Sequence, residues 1–521
     1  MAETAPASAG APAARRSWWT LVAVCGASFM LLVDVTIVQV ALPSVQRELS
    51  GSFSDLEWVI SAYALTLAAL ILSSGSLADR FGRQRIFAAG IVIFTVFSLV
   101  CGLSTTSTML IAARAAQGVG GAAMFATSLA LIGQEYRGED RFKALAFWSA
   151  TIGGAVSAGP LLGGVLTGWL GWRWIFFINL PIGVVTLLLA LTRIPNVHDP
   201  EAKRLDVSGL VTFSLALFFL IFALIRGDEE GWASAQVLGS FAGAAILLGV
   251  FAYAEHHQAR PMFDLSLFRK PAFSGVNIAT FAIGAGMFAM FLYITLYLQT
   301  VLGYSPLQGG LRVLPITSFA FIVPLVSRRF TERMAPGVVL GSAMLLVAAG
   351  LSLMHGLTTT SDWTSLLPGM IVGGIGIGLA NPAIARIALG VVPPQRSGMA
   401  SGINNTFRIA GLATGVALLG AIFQQVIAAS LTTSLGRPAG ALAQVVASTG
   451  TQSPAVANNP AVTAIARRAF LLGLNDIFIV GAFIALAGAV AAFSLIRGRD
   501  VVRAAQRGPG TAEPAAVAMG G

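Results

Sequence analysis

The sequence predicts an all-α polytopic membrane protein with fourteen transmembrane helices. Three observations carry that reading. The 521 residues are 56% hydrophobic and only 10% charged, with a mean hydropathy of +0.81, whereas a soluble domain is about 25% charged. With 32 basic and 22 acidic side chains, a soluble protein of this size cannot cover its surface. The apolar residues also fall in long unbroken runs of the ~20 residues that a helix needs to cross a bilayer, not in the short alternating segments of a barrel. Finally, the basic residues cluster in alternate loops between those runs.

The elements follow in order. Residues 1–17, rich in Ala, Pro, Ser and Gly, read as a disordered cytoplasmic tail. The apolar stretch after Arg15 and Arg16 is too long for a signal peptide and is taken as an uncleaved helix over 18–43. Further helices are placed at 56–75, 85–104, 107–130, 143–168, 173–192, 207–226, 235–254, 271–300, 308–327, 336–356, 366–391, 397–428 and 469–496. The charge-free stretch Pro271–Leu311 is divided between helices 9 and 10. Residues 429–468, rich in Ala, Gly and Ser, are assigned to a loop, and 497–521 to a second cytoplasmic tail.

With the N-terminus inside, 22 basic residues fall on the inner side and 7 on the outer, and Arg114, Arg386 and Arg408 lie within spans. This inward bias places both termini in the cytoplasm. It accounts for the net charge of +10 with no need of a nucleic-acid partner. Cys25 and Cys101 lie in apolar runs and the four His are scattered, so neither a disulfide framework nor a metal site is expected.

Two loops resemble each other. Residues 75–84 read GSLADRFGRQ and 328–337 read RRFTERMAPG, so Leu77 aligns with Phe330, Asp79 with Glu332 and Arg80 with Arg333. Each follows the second helix of a six-helix block. The domain plan is therefore a first half at 18–192, a linker with two extra helices at 193–270, and a second half at 271–496. Parallel halves of this kind are a transporter architecture.

Four segments then resemble the major facilitator superfamily, and within it the fourteen-helix drug:proton antiporters of the EmrB/QacA type. They are LVDVTIVQVALP (32–43), GSLADRFGRQR (75–85), RAAQGVGGA (114–122) and GGAVSAGPLLGG (153–164). The stretches WRWIFFINLPIG (172–183), YLQTVLGYSPLQGGLRVLP (297–315) and SGMASGINNTFRIAGLATGVALLGAI (397–422) fit as well. Gln39 stands where relatives usually carry Asn, and Glu57 where they carry Gln. The resemblance implies a major facilitator fold, a cell membrane location and export of hydrophobic or cationic drugs against protons. The proton gradient is the energy source and no cofactor is needed. The expected partners are a small-molecule substrate, protons and the lipid bilayer; the sequence names no periplasmic adaptor.

Of the acids, Asp34 and Asp476 fall inside spans, where an ionisable group costs a few kcal/mol or more and marks function. Asp34 and Arg114 lie at similar depth, about nine and about seven residues from the outer ends of their helices at roughly 1.5 Å per residue. An ion pair fits, and it is either a proton switch or a fixed tie between helices. The family implicates both residues in coupling. Asp476, beside Asn475, and Glu57, expected at a solvated mouth, are secondary acid candidates. Gly75, Asp79, Arg80, Gly82 and Arg83 are the gating candidates of the 75–85 loop: the glycines permit a tight turn, and by resemblance Asp79 and Arg83 help lock the cytoplasmic side in the outward-facing state, with the start of helix 13 as partner for Asp79; a topological anchor with no gating role is the alternative. Gly159, Pro160, Gly163 and Gly164, with Gly153 and Ser157, supply small residues for close helix contact and a proline kink.

Met290, Tyr293 and Tyr297 share a helical face with Gly286 and are candidates for the substrate cavity, where they suit bulky or cationic compounds; ordinary packing is the alternative. Asn404, Asn405 and Arg408 form a polar cluster that faces the cavity or ties the halves together. There is no P-loop, zinc-protease motif or catalytic carboxylate pair, so the chain reads as a secondary transporter and not an enzyme. A dedicated exporter of one endogenous metabolite or lipid is the alternative within transport. The segment at 153–164 argues against an importer, and a non-transporting receptor is the reading from another class.

Overall fold

The computed structural model describes residues 18–136, 138–195, 206–258, 263–331, 333–392, 397–436 and 438–497. Fourteen of its helices are long and apolar enough to cross a bilayer. They are α1 (Trp18–Leu49), α2 (Phe53–Phe81), α3 (Arg83–Gly102), α4 (Ser107–Glu135), α5 (Gly138–Trp169), α6 (Trp174–Arg193) and α7 (Val207–Glu230). The rest are α8 (Ala235–His257), α9 (Pro271–Val301), α10 (Pro306–Thr331), α11 (Pro336–Met354), α12 (Trp363–Gly390), α13 (Ser397–Leu435) and α14 (Pro460–Leu495). Among the described residues there is no strand. A helix satisfies its backbone N–H and C=O groups internally, which hydrocarbon demands.

Several starts carry side-chain caps that occupy the first free amides. Ser52 and Asp55 form a reciprocal capping box on α2, and Thr106 accepts from the Met109 amide at the start of α4. Fourteen crossings return the chain to the end of the bundle at which it starts. That end is called the tail end here, and the opposite one the far end.

Helices α1–α6 pack on one another, and α9–α14 do the same. Glycines set the distances. A Cβ built on Gly118 of α4 would lie 2.0 Å from Thr66 Oγ1 of α2, and one on Gly120 would lie 2.5 Å from the Phe94 nitrogen of α3. This close approach is how membrane helices gain dispersion contact where lipid supplies no hydrophobic drive. The pair α7–α8 is added from the side. Leu217, Ile221 and Ile225 of α7 cluster with Ala64 and Ala68 of α2 and with Ala410, Ala413 and Ala417 of α13, so α7 spans both halves.

Two local features differ from the sequence reading. Residues 429–468 are largely helical, not loop. Helix α13 continues to Leu435, a short helix occupies Gly440–Thr449, a turn follows at Pro454–Ala457, and α14 begins at Pro460. In the short helix Ala443, Val446 and Ala447 are buried, a helical apolar face hidden in a composition that suggested loop. Helix α9 also contains two π segments, Gly284–Phe288 and Tyr297–Val301. Each widens the turn and changes the direction of the faces that follow.

Candidate functional site

Asp34 of α1 is fully buried, and the guanidinium of Arg114 on α4, 2% exposed, donates directly to its Oδ2. Gln117, one turn on from Arg114, donates from Nε2 to Asp34 Oδ1 at 3.1 Å and accepts from Arg114 Nη1 at 2.8 Å. From α6, Asn179 Nδ2 reaches the same Oδ1 at 3.5 Å and the Ser98 hydroxyl of α3 at 3.0 Å. Arg114 Nε donates to the Val59 carbonyl of α2 at 3.3 Å, and its guanidinium lies 4.0 Å from the Tyr63 ring centre. Five of the first six helices thus converge on one carboxylate.

The chemistry of this cluster follows from its donors. A buried carboxylate is tolerable only when paired and hydrogen-bonded. Loss of the Asp34 charge by protonation leaves Arg114 with the Gln117 oxygen, the Val59 carbonyl and the Tyr63 ring. Both charge states therefore have partners, and the cost of converting one to the other depends on how these helices sit. Toward the second half, a cavity of about 10 Å³ separates Arg114 and Tyr63 from Ile409 and Leu412 of α13, space for about one water. Sequence reasoning found Asp34 and Arg114 but missed Gln117, Asn179, Ser98 and Tyr63. Two signals were available: Gln117 at i+3 from Arg114, and Asn179 as an isolated amide in an apolar run.

At the far end the halves are sealed together. Gln299 of α9 donates to the Val40 carbonyl of α1 at 2.8 Å, and Gln46 of α1 to Ser448 of the short helix at 3.5 Å. The glycines of α5 sit in this seal. A Cβ on Gly159 would lie 1.8 Å from Thr36 Oγ1, and one on Gly163 2.9 Å from the Ile37 carbonyl oxygen. Across the seam, a Cβ on Gly164 would lie 2.8 Å from the Pro306 carbonyl oxygen of α10, and one on Gly310 2.4 Å from that of Pro160.

At the tail end, Gly82 joins α2 to α3 at φ +104°, a conformation open to glycine at little cost. Arg83 Nη1 donates to the Ala130 carbonyl of α4 at 3.4 Å. Arg80 is exposed above the Phe81 ring, and a Cβ on Gly75 would meet nothing within 4 Å. The side chain of Asp79 and residues 393–396 before α13 lie outside the described residues, and so does the lock expected between them.

The expected cavity residues are not brought together. Met290 packs on Gly481 of α14, Tyr293 donates to the Val416 carbonyl of α13 at 2.7 Å, and Tyr297 donates to the Ser361 carbonyl at 3.3 Å. All three are fully buried, so in this conformation they serve helix packing and do not line an open cavity. Asn404 donates to Asn277 and Thr280 of α9, while Asn405 turns back to Ser401 on its own helix. Arg408 is separate from both, and its Nε has no hydrogen-bond partner among the described residues.

The acid candidates also change place. Asp476 is exposed on the outside of α14, because α14 begins at Pro460 and Asn475 is the residue that turns inward. Asn475 binds the Gly356 and Leu357 amides and the Leu357 carbonyl, each at 3.0 Å, at the far end of α11. Glu57, expected to be solvated, is fully buried. It is the fifth residue of α2, and α13 and α9 close over it.

The model of the Major Facilitator Superfamily matches residues 24–416. The multidrug resistance protein Stp of Mycobacterium tuberculosis (strain CDC 1551 / Oshkosh) is 34% identical over 419 residues, covering 80% of this chain and 78% of that protein. The tetracenomycin C resistance and export protein of Streptomyces glaucescens is 32% identical over 414 residues, covering 78% of this chain and 76% of its own. Among solved structures, a bacterial homologue of the human lysosomal transporter Spinster, in an inward-facing and unoccupied conformation, superposes with a TM-score of 0.60. It is 18% identical and covers 94% of this chain and 99% of its own. Fourteen membrane-length helices and these matches together establish that the chain is a multi-pass transporter belonging to the Major Facilitator Superfamily.

Proposed function

We propose that the protein exports hydrophobic small molecules, cationic ones among them, from a bacterial cell in exchange for protons. It sits in the plasma membrane with both termini in the cytoplasm, so the tail end faces in and the sealed far end faces out. In this reading the conformation is inward-facing. The observation that carries the proposal is the buried Asp34–Arg114 pair with its surrounding amides, together with the multidrug resistance named for one relative and the resistance and export named for the other.

The mechanism uses the two features already described. When the far end opens, a proton reaches Asp34 and neutralises it, and Arg114 falls back on Gln117 and Val59. The altered balance between α1 and α4 favours closure of the far end, with the α5 glycines meeting α10. The proton then leaves toward the cytoplasm and substrate takes its place in the central cavity. Coupling requires that proton and substrate each favour a different facing, since a ligand with equal affinity for both shifts nothing. The test is substrate-driven proton release from acid-loaded inverted vesicles, compared between the native chain and Asp34→Asn. Full proton release from the variant overturns the proposal. A single-compound exporter is the second reading, favoured by the relative named for tetracenomycin C; a response to one compound in a broad panel decides for it.

A further inference from the structure

Resting on the export reading, we infer that Arg408 is a substrate-binding group that selects compounds carrying an acidic group on a hydrophobic body, zwitterions included. Arg408 lies within α13, where a cation is costly unless it is paired or faces water. The other two arginines placed within spans have partners: Arg114 is paired with Asp34, and Arg386 Nη1 donates to the Thr331 carbonyl at 3.3 Å. Arg408 differs. Its Nε is removed from solvent, and among the described residues its guanidinium makes no hydrogen bond, ion pair or ring contact. The residue as a whole is only half-buried, so it is not sealed inside the protein.

Helical periodicity gives the direction of the side chain. One row of α13 packs on α9: Asn404 bonds Asn277 and Thr280, and Cβ atoms on Gly411 and Gly415 would lie 2.4 Å from Phe281 and Ala285 backbone atoms. A second row packs on α2: Thr406 donates to the Ala68 carbonyl at 3.3 Å, and a Cβ on Gly402 would lie 2.6 Å from Leu72 Cδ2. Phe407 and Ala410 point to the outer side, against Phe263 and Phe268 and against α7. Arg408 lies on the opposite, inner side with Leu412 and Ile409, which border the small cavity at Arg114 and Tyr63. The backbone there is held firmly, since a Cβ on Gly284, the first residue of a π segment of α9, would lie 2.4 Å from the Arg408 carbonyl oxygen.

Helix α12, in contact with α13, brings a second unmatched group to this depth. Arg408 is eleven residues from Ser397 and Asn381 nine from Gly390, both counted from the tail end. At roughly 1.5 Å per residue these are about 14–17 Å into the helices. Asn381 lies between the α12 glycines that pack on α10, Gly374 and Gly378, and the one that packs on Met287 of α9, Gly373. Its amide oxygen is buried without a hydrogen-bond partner among the described residues. A guanidinium presents N–H donors in a planar fork that matches a carboxylate, sulfonate or phosphate. Such charge-assisted bonds strengthen where water is scarce. An acidic group bound to Arg408 replaces the water that solvates it, and Asn381 offers an acceptor to an O–H or N–H of the same compound.

The experiment measures binding to the purified full chain in discs of neutral phosphatidylcholine, by fluorescence. The probes are dansylglycine, a carboxylate on an aromatic body, and dansylglycinamide, the same body without charge. The native chain is expected to bind the carboxylate at least about tenfold more tightly than the amide. Arg408→Gln is expected to abolish that preference while amide binding persists, and Arg408→Lys, which keeps the charge without the fork, to retain part of it. No preference in the native chain, or a preference undiminished by Arg408→Gln, overturns the inference. If Arg408→Gln loses both probes, Arg408→Lys decides: a reduced preference supports the inference and an undiminished one overturns it. A lipid headgroup shares this chemistry. Dansylglycine binding that persists when anionic phosphatidylglycerol is added supports a small amphipathic substrate, and displacement of the probe by that lipid overturns it. Because the readout is binding and not transport, failure of Asp34→Asn to block export leaves this outcome untouched.

Discussion

Gly164→Ala tests the seal between the halves through one added methyl. The new carbon would sit 2.8 Å from the Pro306 carbonyl oxygen and 3.0 Å from Leu307 Cα. Both are backbone atoms of α10 in the opposite half, so no rotamer change relieves the contact, and α5 and α10 must separate by a few tenths of an ångström. Overpacking of this kind costs about 1–3 kcal/mol. The cost falls on the closed far end alone, because opening removes α10 from α5. At about 1.4 kcal/mol per tenfold change, the closed-to-open ratio falls by roughly 5- to 150-fold. The assay is the distance between spin labels at Ser50→Cys and Gln444→Cys, two positions that line the same far-end cavity. Native Cys25 and Cys101 are buried, which directs labelling to the introduced cysteines. Gly154→Ala on the same helix is the control, since its Cβ would meet nothing within 4 Å. The expected result is a shift toward the open distance for Gly164→Ala and none for Gly154→Ala. Equal distances in both would refute the argument that this contact closes the far end.

Three further outcomes are expected. Arg114→Ala leaves Asp34 buried with Gln117 and Asn179 as its side-chain donors among the described residues. It is expected to cost about 3–5 kcal/mol; a fall in the melting temperature of the purified protein, recovered in part by Arg114→Lys, checks it. Asn475→Ala strands two amides and a carbonyl at the far end of α11, for a loss of about 1–3 kcal/mol. Its melting temperature should fall while proton coupling per substrate stays unchanged. Gly82→Ala forces a side chain into φ +104° at a cost of about 1–3 kcal/mol; it is expected to slow transport turnover in vesicles without removing its dependence on the pH gradient.

The span count was legible because a bilayer demands long apolar runs, a requirement written residue by residue. The central ion pair was legible for a related reason: with so few charges inside spans, Asp34 and Arg114 stand out and share a depth. Gln117 and Asn179 did not stand out, because uncharged amides are cheap enough to occur in membrane helices without signalling a site. Glu57 was misjudged since it follows a solvated capping box by two residues. What buries it is Gly420, which lies 363 positions away in sequence and is brought close only by the assembly of the halves. The face formed by Met290, Tyr293 and Tyr297 was misdirected for a similar reason. Periodicity reports that side chains share a face but not which neighbour covers it, and the π segments on either side turn that face further. Residues 429–468 show the limit of composition: Ala and Gly suit a loop, yet the spacing of Ala443, Val446 and Ala447 is that of a packed helix.

The central claim is that a proton on Asp34 drives export. Its most direct test is fluorescence of a pH-sensitive dye in acid-loaded inverted vesicles when substrate is added, comparing the native chain with Asp34→Asn at equal expression. The account predicts that substrate releases protons from native vesicles and that Asp34→Asn abolishes the release while substrate binding persists. Undiminished proton release by Asp34→Asn would contradict it.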